Sequence, residues 1–461
     1  MRKSLLTFCG GVDEVTGSNF LLEDANGGSS ENSCKILIDC GLAQGDKFAS
    51  LKNERPFPYD PSRIHFLLVT HAHIDHIGRI PKLVRDGFRG QIISTPETEK
   101  LAKLMLADAL RVMQSEALKE SREPIYDEDD ISRSFALWRT EIYHTPFSLC
   151  ADYKAVFLNA GHVLGSAMIE IYRDGEKIVF SGDLGNSPTP FLSDTEDVSG
   201  IKYLVMESVY GDRTHEDRQF RRKRLQDVIE KTRRKKGTLL IPAFSLEKTQ
   251  VILFELNSLI EKKEIENIPV FLDSPLAEAV TSVYRSMHST FNPEAKKAIA
   301  SGDDIFSFPK LKITKSGFES MKIANAPDPK IIIAGSGMST GGRIIRHEKE
   351  FLPHIRNTIL FVGYQSPGSL GREIQDGAKA VDIESERVNI RAEVETISGY
   401  SSHKDGDHLL EFVSKSAPTL KQVFAVMGEP KSALFLVQRI RDYLGVDASH
   451  PKEGSAVFIE L

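Results

Sequence analysis

A chain of 461 residues is longer than a usual single-core domain, so two domains, or one domain interrupted by another, are expected. Hydrophobic residues make up 40% and charged residues 27%, as in soluble globular proteins. The sequence has no run of about eighteen apolar residues, so it predicts no membrane-spanning helix. The net charge of −6 argues against a protein that coats nucleic acid non-specifically. Four cysteines without a C-x-x-C pair predict reduced thiols and a cytoplasmic protein.

Short apolar strands that end in polar residues recur in the first part of the chain. They are KILIDCG (35–41), IHFLLVTH (64–71), KAVFLNAGH (154–162), KIVFSGDLG (177–185) and IKYLVMES (201–208). After Tyr210, strands alternate with helices, which is typical of a parallel α/β layer. The last part, with RAEVETISGYSSH (391–403) and KQVFAVMGE (421–429), returns to the first pattern. The order predicts one domain interrupted by a second.

The loop after the second of these strands reads H-A-H-I-D-H, at residues 71–76. Imidazole and carboxylate are the ligands that zinc prefers where water must also bind, and H-x-H-x-D-H is rare by chance. One loop cannot complete two metal sites, so further ligands must come from elsewhere. Asp39, His162 and Asp183 each end another strand, at the edge where the loop also lies. The pattern predicts a metal site with two ions.

With these residues the chain resembles the metallo-β-lactamase superfamily, and later motifs resemble its β-CASP branch, the nucleases of RNA and DNA processing. The later motifs are GDLGNS (182–187), MESVYGDR (206–213), LIPAFSLEKTQ (240–250), FLDSPLA (271–277), GSGMSTGGR (335–343), GYQSPGSLGR (363–372) and SSHKDGDHL (401–409). The resemblance implies an α/β protein with a four-layer αββα metallo-β-lactamase fold and an inserted α/β β-CASP domain. The implied domains are residues 1–208 and 391–461 for the first and 209–390 for the second.

The resemblance also implies a ligand set for two Zn²⁺ ions. One ion would be held by His71, His73 and His162, the other by Asp75, His76 and His403, with Asp183 bridging both.

Four of the residues at this site have implied catalytic roles. Asp39 would orient the metal-binding loop, Asp75 would also accept a proton from the attacking water, and Glu207 would assist proton transfer. His403 matches a late histidine that is typical of RNA-directed members, and it is the main reason to expect RNA rather than DNA as the substrate.

Two Gly-rich turns, 335–343 and 363–372, would let backbone N–H groups approach a phosphate closely. Without the resemblance, plain strand-to-helix turns are an equally good interpretation; with it, phosphate binding is favoured. The predicted substrate contacts are Ser336, Gly337, Arg343, Gly368, Ser369 and Arg372.

Three positions depart from the family pattern. Arg372 and Glu373 stand where many RNA-directed members have a histidine, which leaves the proton donor open. Met427 replaces the histidine of F-x-V-H-G-E, for which a loss of hydrogen bonding rather than of metal is expected. Residues 246–248, Leu-Glu-Lys, replace a motif that ends in arginine. All seven ligand positions are intact, which argues against a degenerate scaffold.

The predicted function is a zinc-dependent ribonuclease of RNA processing or decay, with endonuclease and exonuclease modes both open. The alternatives are a DNA nuclease of the same branch, a non-catalytic subunit of an RNA-processing complex, and a small-molecule hydrolase such as a lactonase. The last of these lacks the inserted domain. RNA is the expected substrate, and a homodimer and an RNA-processing complex are the protein partners that the family leaves open.

Overall fold

The computed structural model describes residues 2–25, 34–45, 49–150, 152–216, 218–366 and 368–461. The chain divides into two compact units: residues up to 214 together with 403–461 form the first, and residues 215–402 form the second. The predicted domain limits at 208/209 and 390/391 stay a prediction. Both units are mixed α/β structures, as the sequence predicts.

The first unit contains two seven-stranded sheets. The first sheet has the order β22-β1-β2-β3-β4-β5-β6, with β1 Lys3–Gly10, β2 Asn19–Asp24, β3 Lys35–Ile38, β4 Phe66–Leu68, β5 Gln91–Ser94, β6 Trp138–Thr140 and β22 Ala456–Glu460. The second has the order β21-β20-β11-β10-β9-β8-β7, with β7 Phe147–Ser148, β8 Lys154–Asn159, β9 Ala167–Arg173, β10 Glu176–Phe180, β11 Tyr203–Glu207, β20 Gln422–Val426 and β21 Ala448–Ser449.

The two sheets pack face to face over one apolar core. Phe8 of the first sheet lies 5.3 Å from Phe424 of the second, measured between ring centroids, and Phe20 stacks on Phe180 at 6.2 Å. Alternate residues of the strands point into this core, as the two-residue period of a strand requires. Loops that follow strands of both sheets can therefore meet at one edge of the sandwich.

Seven helices belong to the described part of the first unit. They are α1 Ala49–Glu54, α2 Ile74–Ile77, α3 Ile80–Arg85, α4 Pro96–Glu120, α5 Glu128–Ala136, α13 Gly406–Ser414 and α14 Pro430–Leu444. Apolar residues of α13 and α14 bury the outer face of the second sheet, with Phe412 and Leu436 in that cluster. Local sequence fixes helix ends: Pro430 occupies the first turn of α14, and Gly445 ends it in the left-handed conformation with φ of 64°.

The second unit is built on a six-stranded parallel sheet. Its order is β14-β13-β15-β12-β16-β19, with β12 Thr238–Pro242, β13 Val270–Asp273, β14 Leu311–Ile313, β15 Lys330–Ala334, β16 Thr358–Phe361 and β19 Glu393–Thr396. A separate hairpin pairs β17 Ala380–Ile383 with β18 Glu386–Asn389. The helices are α6 Arg218–Arg234, α7 Lys248–Glu261, α8 Pro275–Ser286, α9 Pro293–Ala300, α10 Gly317–Lys322, α11 Ile344–Phe351 and α12 Leu370–Gln375.

The expectation of reduced thiols throughout was wrong for one cysteine pair. Cys34, beside β3, and Cys150, after β7, form a disulfide with a Cα–Cα distance of 5.7 Å. They are 116 residues apart in sequence, and the packing of the two sheets brings them together. Cys9 and Cys40 are free thiols.

Among the helices of the described ranges, none combines the length and the apolar character that crossing a bilayer requires.

Candidate metal centre

The predicted metal ligands lie on loops that follow strands of both sheets in the first unit. The loop after β4 carries His71 and His73, and α2 then begins directly after His73. The loop after β8 carries His162, and the loop after β10 carries Asp183. Short strands end at the same edge, so residues that are far apart in sequence meet there.

Four ligand atoms converge on one point. His73 Nδ1 lies 3.0 Å from His71 Nε2 and 3.2 Å from His162 Nε2. Asp183 Oδ2 lies 3.5 Å from the Nε2 atoms of both His71 and His162. All four side chains can offer atoms within 4.8 Å of one another, which is a spacing that suits a single metal ion.

The histidines of this group are held in the form that binds metal. Burial lowers the pKa of His71, and it lowers the pKa values of His73 and His162 further. A neutral imidazole has a free nitrogen lone pair for a cation, whereas a protonated one has none. These three rings are therefore neutral at physiological pH, whereas, against the effect of burial, Asp183, Asp39 and Asp75 raise the pKa of His76 well above its usual value.

A second group of polar atoms surrounds the other carboxylate oxygen of Asp183, Oδ1. His76 Nε2 is 3.4 Å from Asp183 Oδ1 and 3.8 Å from Asp75 Oδ2. Within the described ranges, His76 Nε2 and Asp183 Oδ1 are buried without a hydrogen bond of acceptable geometry. The residues present therefore fit a bound cation, and this observation does not depend on the sequence motif.

Charges within the cluster set the protonation of its acidic members. Burial raises the pKa of Asp75, although His76 opposes that rise. For Asp183, burial also favours the neutral form, but His76 and His403 outweigh it and hold its pKa well below the usual value. Asp183 is therefore an anion at neutral pH.

Asp39 fixes the orientation of His76. Its Oδ2 lies 2.7 Å from His76 Nδ1, and its Oδ1 accepts the backbone N–H of Thr70 at 2.8 Å. The hydroxyls of Thr70 and Ser18 donate to the same carboxylate at 2.8 and 3.1 Å. Because the carboxylate of Asp39 accepts at Nδ1, the Nε2 atom of His76 faces Asp183 and is the atom that His76 would offer to a cation. No motif in the sequence indicates Thr70 and Ser18, since a single hydroxyl carries no recognisable pattern.

His403 reaches the cluster from the side of Glu207. Its Nδ1 lies 3.0 Å from Glu207 Oε2 and 3.9 Å from Asp183 Oδ2. Glu207 is the last residue of β11 and fully buried, and burial raises the pKa of its carboxyl group while His403 lowers it. The backbone of His403 bridges to Gly185, and the next N–H, of Lys404, donates to Leu184 O at 2.9 Å.

The predicted substrate contacts lie in the second unit, after β15 and β16. Ser336 Oγ accepts the N–H of Thr340 at 2.9 Å, and Ser369 caps α12. Gly337 lies against the ring of Phe244, where an added Cβ would come within 2.6 Å. Ser336, Gly337, Gly368 and Ser369 all follow the carboxyl ends of parallel strands, where ligands of α/β proteins bind.

The two predicted arginines already have acidic partners. Arg343 Nη1 lies 2.7 Å from Asp273 Oδ1 and donates to Thr314 O at 3.2 Å. Arg372 Nε lies 2.8 Å from Asp376 Oδ2 in an exposed pair. Their role toward phosphate stays a prediction.

Comparison with known proteins gives three family matches. Residues 29–204 match the metallo-beta-lactamase superfamily domain, residues 249–374 the Beta-Casp domain, and residues 387–451 the Zn-dependent metallo-hydrolase RNA specificity domain.

Similar curated proteins come from bacteria and archaea. The chain is 36% identical over 427 residues to Ribonuclease TTHA0252 of Thermus thermophilus, which covers 93% of this chain and 94% of that protein. It is 31% identical over 458 residues to Transcription termination factor FttA of Methanosarcina mazei, covering 96% and 69% of the two chains. A solved structure, a protein of unknown function from Enterococcus faecalis V583, shares the fold with a TM-score of 0.57 at 11% identity, covering 99% and 100%.

The two-sheet fold and the cluster of histidines and carboxylates define a metal-dependent hydrolase. With the relatives above, the chain belongs to the β-CASP branch of the metallo-β-lactamase superfamily. The predicted family, fold and enzyme class are confirmed.

Proposed function

We propose that this protein is a zinc-dependent ribonuclease that hydrolyses RNA phosphodiester bonds at a site for two metal ions. The observation that carries the proposal is the convergence of His71, His73, His162 and Asp183 beside the unsatisfied Nε2 of His76. RNA is supported as the substrate by the match of residues 387–451 to an RNA specificity domain and by the similarity to a ribonuclease.

Different sets of side chains would ligate the two proposed ions. His71, His73, His162 and Asp183 offer four ligand atoms to one ion. Asp75, His76 and Asp183 surround the place of the other, and His403 is the predicted additional ligand. When bound, two such cations would lower the pKa of an attacking water and neutralise charge on the phosphodiester.

Side chains of this site supply the proton transfers. Asp75 accepts the proton of the attacking water; burial raises its pKa, which makes it a better base than an exposed aspartate. At the other side, Glu207 Oε2 accepts the hydrogen bond of His403 Nδ1, which would leave His403 Nε2 free to ligate, and burial raises the pKa of Glu207, so that its carboxyl group can supply a proton to the departing 3′ oxygen. These roles give a 5′-phosphate and a 3′-hydroxyl as products.

The test compares 5′-labelled single-stranded RNA and DNA of one sequence, each incubated with the zinc-loaded protein. Asp75→Ala is the inactive variant, and Asp129→Ala, an exposed position on α5, is its matched control. Internal RNA fragments or single nucleotides that only Asp75→Ala fails to produce support the ribonuclease and give its mode. Cleavage of DNA alone favours the DNA nuclease, and no cleavage by zinc-loaded wild type favours the non-catalytic subunit.

The cytoplasm is the proposed compartment, because RNA processing and decay take place there. Cytoplasmic reductants oppose disulfides, so persistence of the Cys34–Cys150 bond in living cells would count against this compartment. Alkylation of thiols at the moment of lysis, followed by mass spectrometry, measures the fraction that is reduced. The homodimer stays a proposal that the mass of the protein in solution tests.

A further inference from the structure

A loop in the second unit carries an exposed aromatic ring beside the Gly-rich turn at 335–343. This loop, residues 314–322, follows β14 and contains α10. β14 and β15 lie on either side of β13 in the parallel sheet, so the loop and the turn leave the sheet at the same edge. Arg343 joins them, because its Nη1 donates to Thr314 O at 3.2 Å and its Nη2 to Lys315 O at 3.3 Å.

The buried carboxylate of Asp273 holds this loop in place. Its Oδ2 accepts the hydroxyl of Ser320 at 2.6 Å. Its Oδ1 accepts the hydroxyl of Thr314 and, at 2.7 Å, the Nη1 of Arg343. Hydrogen bonds to an ionised group are among the strongest in proteins, so α10 has a fixed position. The exposed side chains of the loop are therefore presented on a preorganised support.

The surface that α10 presents to solvent is apolar and aromatic. Phe318 is 63% exposed, and Met321, one helical turn further on, is 51% exposed. The ammonium group of Lys322 lies 4.1 Å from the centre of the Phe318 ring, over one of its faces. Because so much of Phe318 is still exposed, the rest of the ring is open to a ligand.

The charge around this ring indicates what kind of ligand it would bind. Residues 310–322 include one acidic residue, Glu319, and four lysines, Lys310, Lys312, Lys315 and Lys322. The carboxylate of Glu319 accepts the backbone N–H groups of Lys315 and Ser316 at 2.6 and 3.3 Å. Glu278 of α8 also lies near Lys315, but it pairs with Arg285 at 3.8 Å. An aromatic ring among several cations suits a single-stranded polyanion that has flat bases.

The more basic helix α6 offers a contrast. It carries an equally exposed ring, Phe220, at 62%. Its cations, however, already face carboxylates of the protein: Arg222 pairs with Glu264 at 3.2 Å, and Arg233 pairs with Glu266 at 2.7 Å. Phe220 is therefore a matched reference for Phe318, with the same residue type and exposure in the same unit.

We propose that Phe318 is a stacking platform for a base of single-stranded RNA, with Lys315 and Lys322 beside the phosphate backbone. The inference rests on the proposed function, which makes RNA the substrate. Every base has a face that can stack on an aromatic ring, so this contact contributes affinity for RNA of any sequence. Among the substrate contacts of the second unit, it assigns Arg343 to the support of the platform, through Thr314 and Lys315.

The experiment measures RNA affinity rather than cleavage. The whole chain with Asp75→Ala, which leaves RNA intact, is titrated into a labelled single-stranded RNA of mixed sequence, and fluorescence anisotropy reports binding. Adding Phe318→Ala should weaken binding by about 5- to 100-fold. Phe318→Tyr should keep the affinity, whereas Phe318→Leu, apolar but without a ring, should lose it as alanine does. Phe220→Ala should bind as the parent does.

Salt dependence separates stacking from charge. Phe318→Ala should leave the slope of log affinity against log salt unchanged, because stacking releases no counterions. Lys315→Gln with Lys322→Gln should reduce that slope by about 1.4, the value for two phosphates of a single strand. An unchanged slope in this double variant would overturn the placement of the phosphates.

The outcomes also separate this inference from the proposed function. Equal RNA affinity of Phe318→Ala and its parent would overturn the inference and leave the ribonuclease standing, and the exposed ring would then suit a protein partner. An equal loss in Phe220→Ala would overturn it as well, since any exposed ring would then have the same effect. Failure of both the parent and the zinc-loaded wild type to bind RNA would overturn both proposals.

Discussion

Glu348 should make the stability of the second unit depend on pH. This residue of α11 is fully buried; one carboxyl oxygen accepts the hydroxyl of Ser339, and the other has no hydrogen bond among the described residues. Burial raises its pKa from 4.5 to about 8. Ser339 lies in the Gly-rich turn that the sequence predicts to bind phosphate, so Glu348 also supports that turn.

The sign and the size of the effect follow from the raised pKa. Between pH 4.5 and about 8 the unfolded chain has lost the proton, whereas the folded protein keeps it. The contribution of Glu348 to the free energy of unfolding is therefore fully present below pH 4.5. It decreases as the pH rises from 4.5 to about 8. A shift of this size corresponds to at most about 5 kcal/mol, of which about 3 kcal/mol is lost by pH 7.

The variant Glu348→Gln has a neutral side chain of the same shape at every pH. Thermal and denaturant unfolding of wild type and variant are compared at pH 5 and pH 8, with Glu350→Gln, an exposed position of the same helix, as the control. The advantage of Glu348→Gln over wild type should be larger at pH 8 than at pH 5 by about 2–4 kcal/mol. An equal difference at both pH values would refute the reasoning, because it would mean that Glu348 ionises in the folded protein as it does in the unfolded chain.

Three further substitutions test the site and its support. Glu207→Gln should lower the single-turnover rate of RNA cleavage by about 100-fold or more while leaving the zinc content unchanged, and an unchanged rate would contradict its role in proton transfer. Asp39→Asn should weaken zinc binding by about 10–100-fold in competition with a chelator, because Asp39 orients His76; equal affinity would exclude that role. Asp273→Asn should destabilise the second unit by about 2–4 kcal/mol in denaturant unfolding, since it leaves the partly buried Arg343 without its anion, and Asp382→Asn, an exposed pair with Arg387, is the control that should change little.

Sequence alone predicted what is local or repeated along the chain. The H-x-H-x-D-H loop lies within six residues, and the strand ends at Asp39, His162 and Asp183 carry the same signal of an apolar run followed by a polar residue. Because parallel and neighbouring strands end at one edge, these positions could be expected to meet. The four-layer fold followed from the family motifs.

Contacts between distant residues could not be predicted in the same way. Glu207 and His403 are 196 residues apart, and the bond between them depends on where the backbone at Gly185 places the histidine. The Cys34–Cys150 pair depends on the packing of two sheets. Asp273 forms ion pairs with both Arg343 and His347. Arg343 was expected to bind phosphate from the Gly-rich turn, and no local sequence pattern reveals that Asp273 is its partner.

The strand order of the first unit also constrains its synthesis on the ribosome. β1 pairs with β22, with Ser4 opposite Ile459, and β20 fits beside β11 in the second sheet. Both partner strands are translated after the whole of the second unit, whose parallel sheet comes from one continuous stretch. The second unit can therefore fold while the first still exposes the unpaired edges of β1 and β11. A ribosome that stalls before residue 422 leaves both edges open, and such nascent chains should depend on chaperones to avoid aggregation.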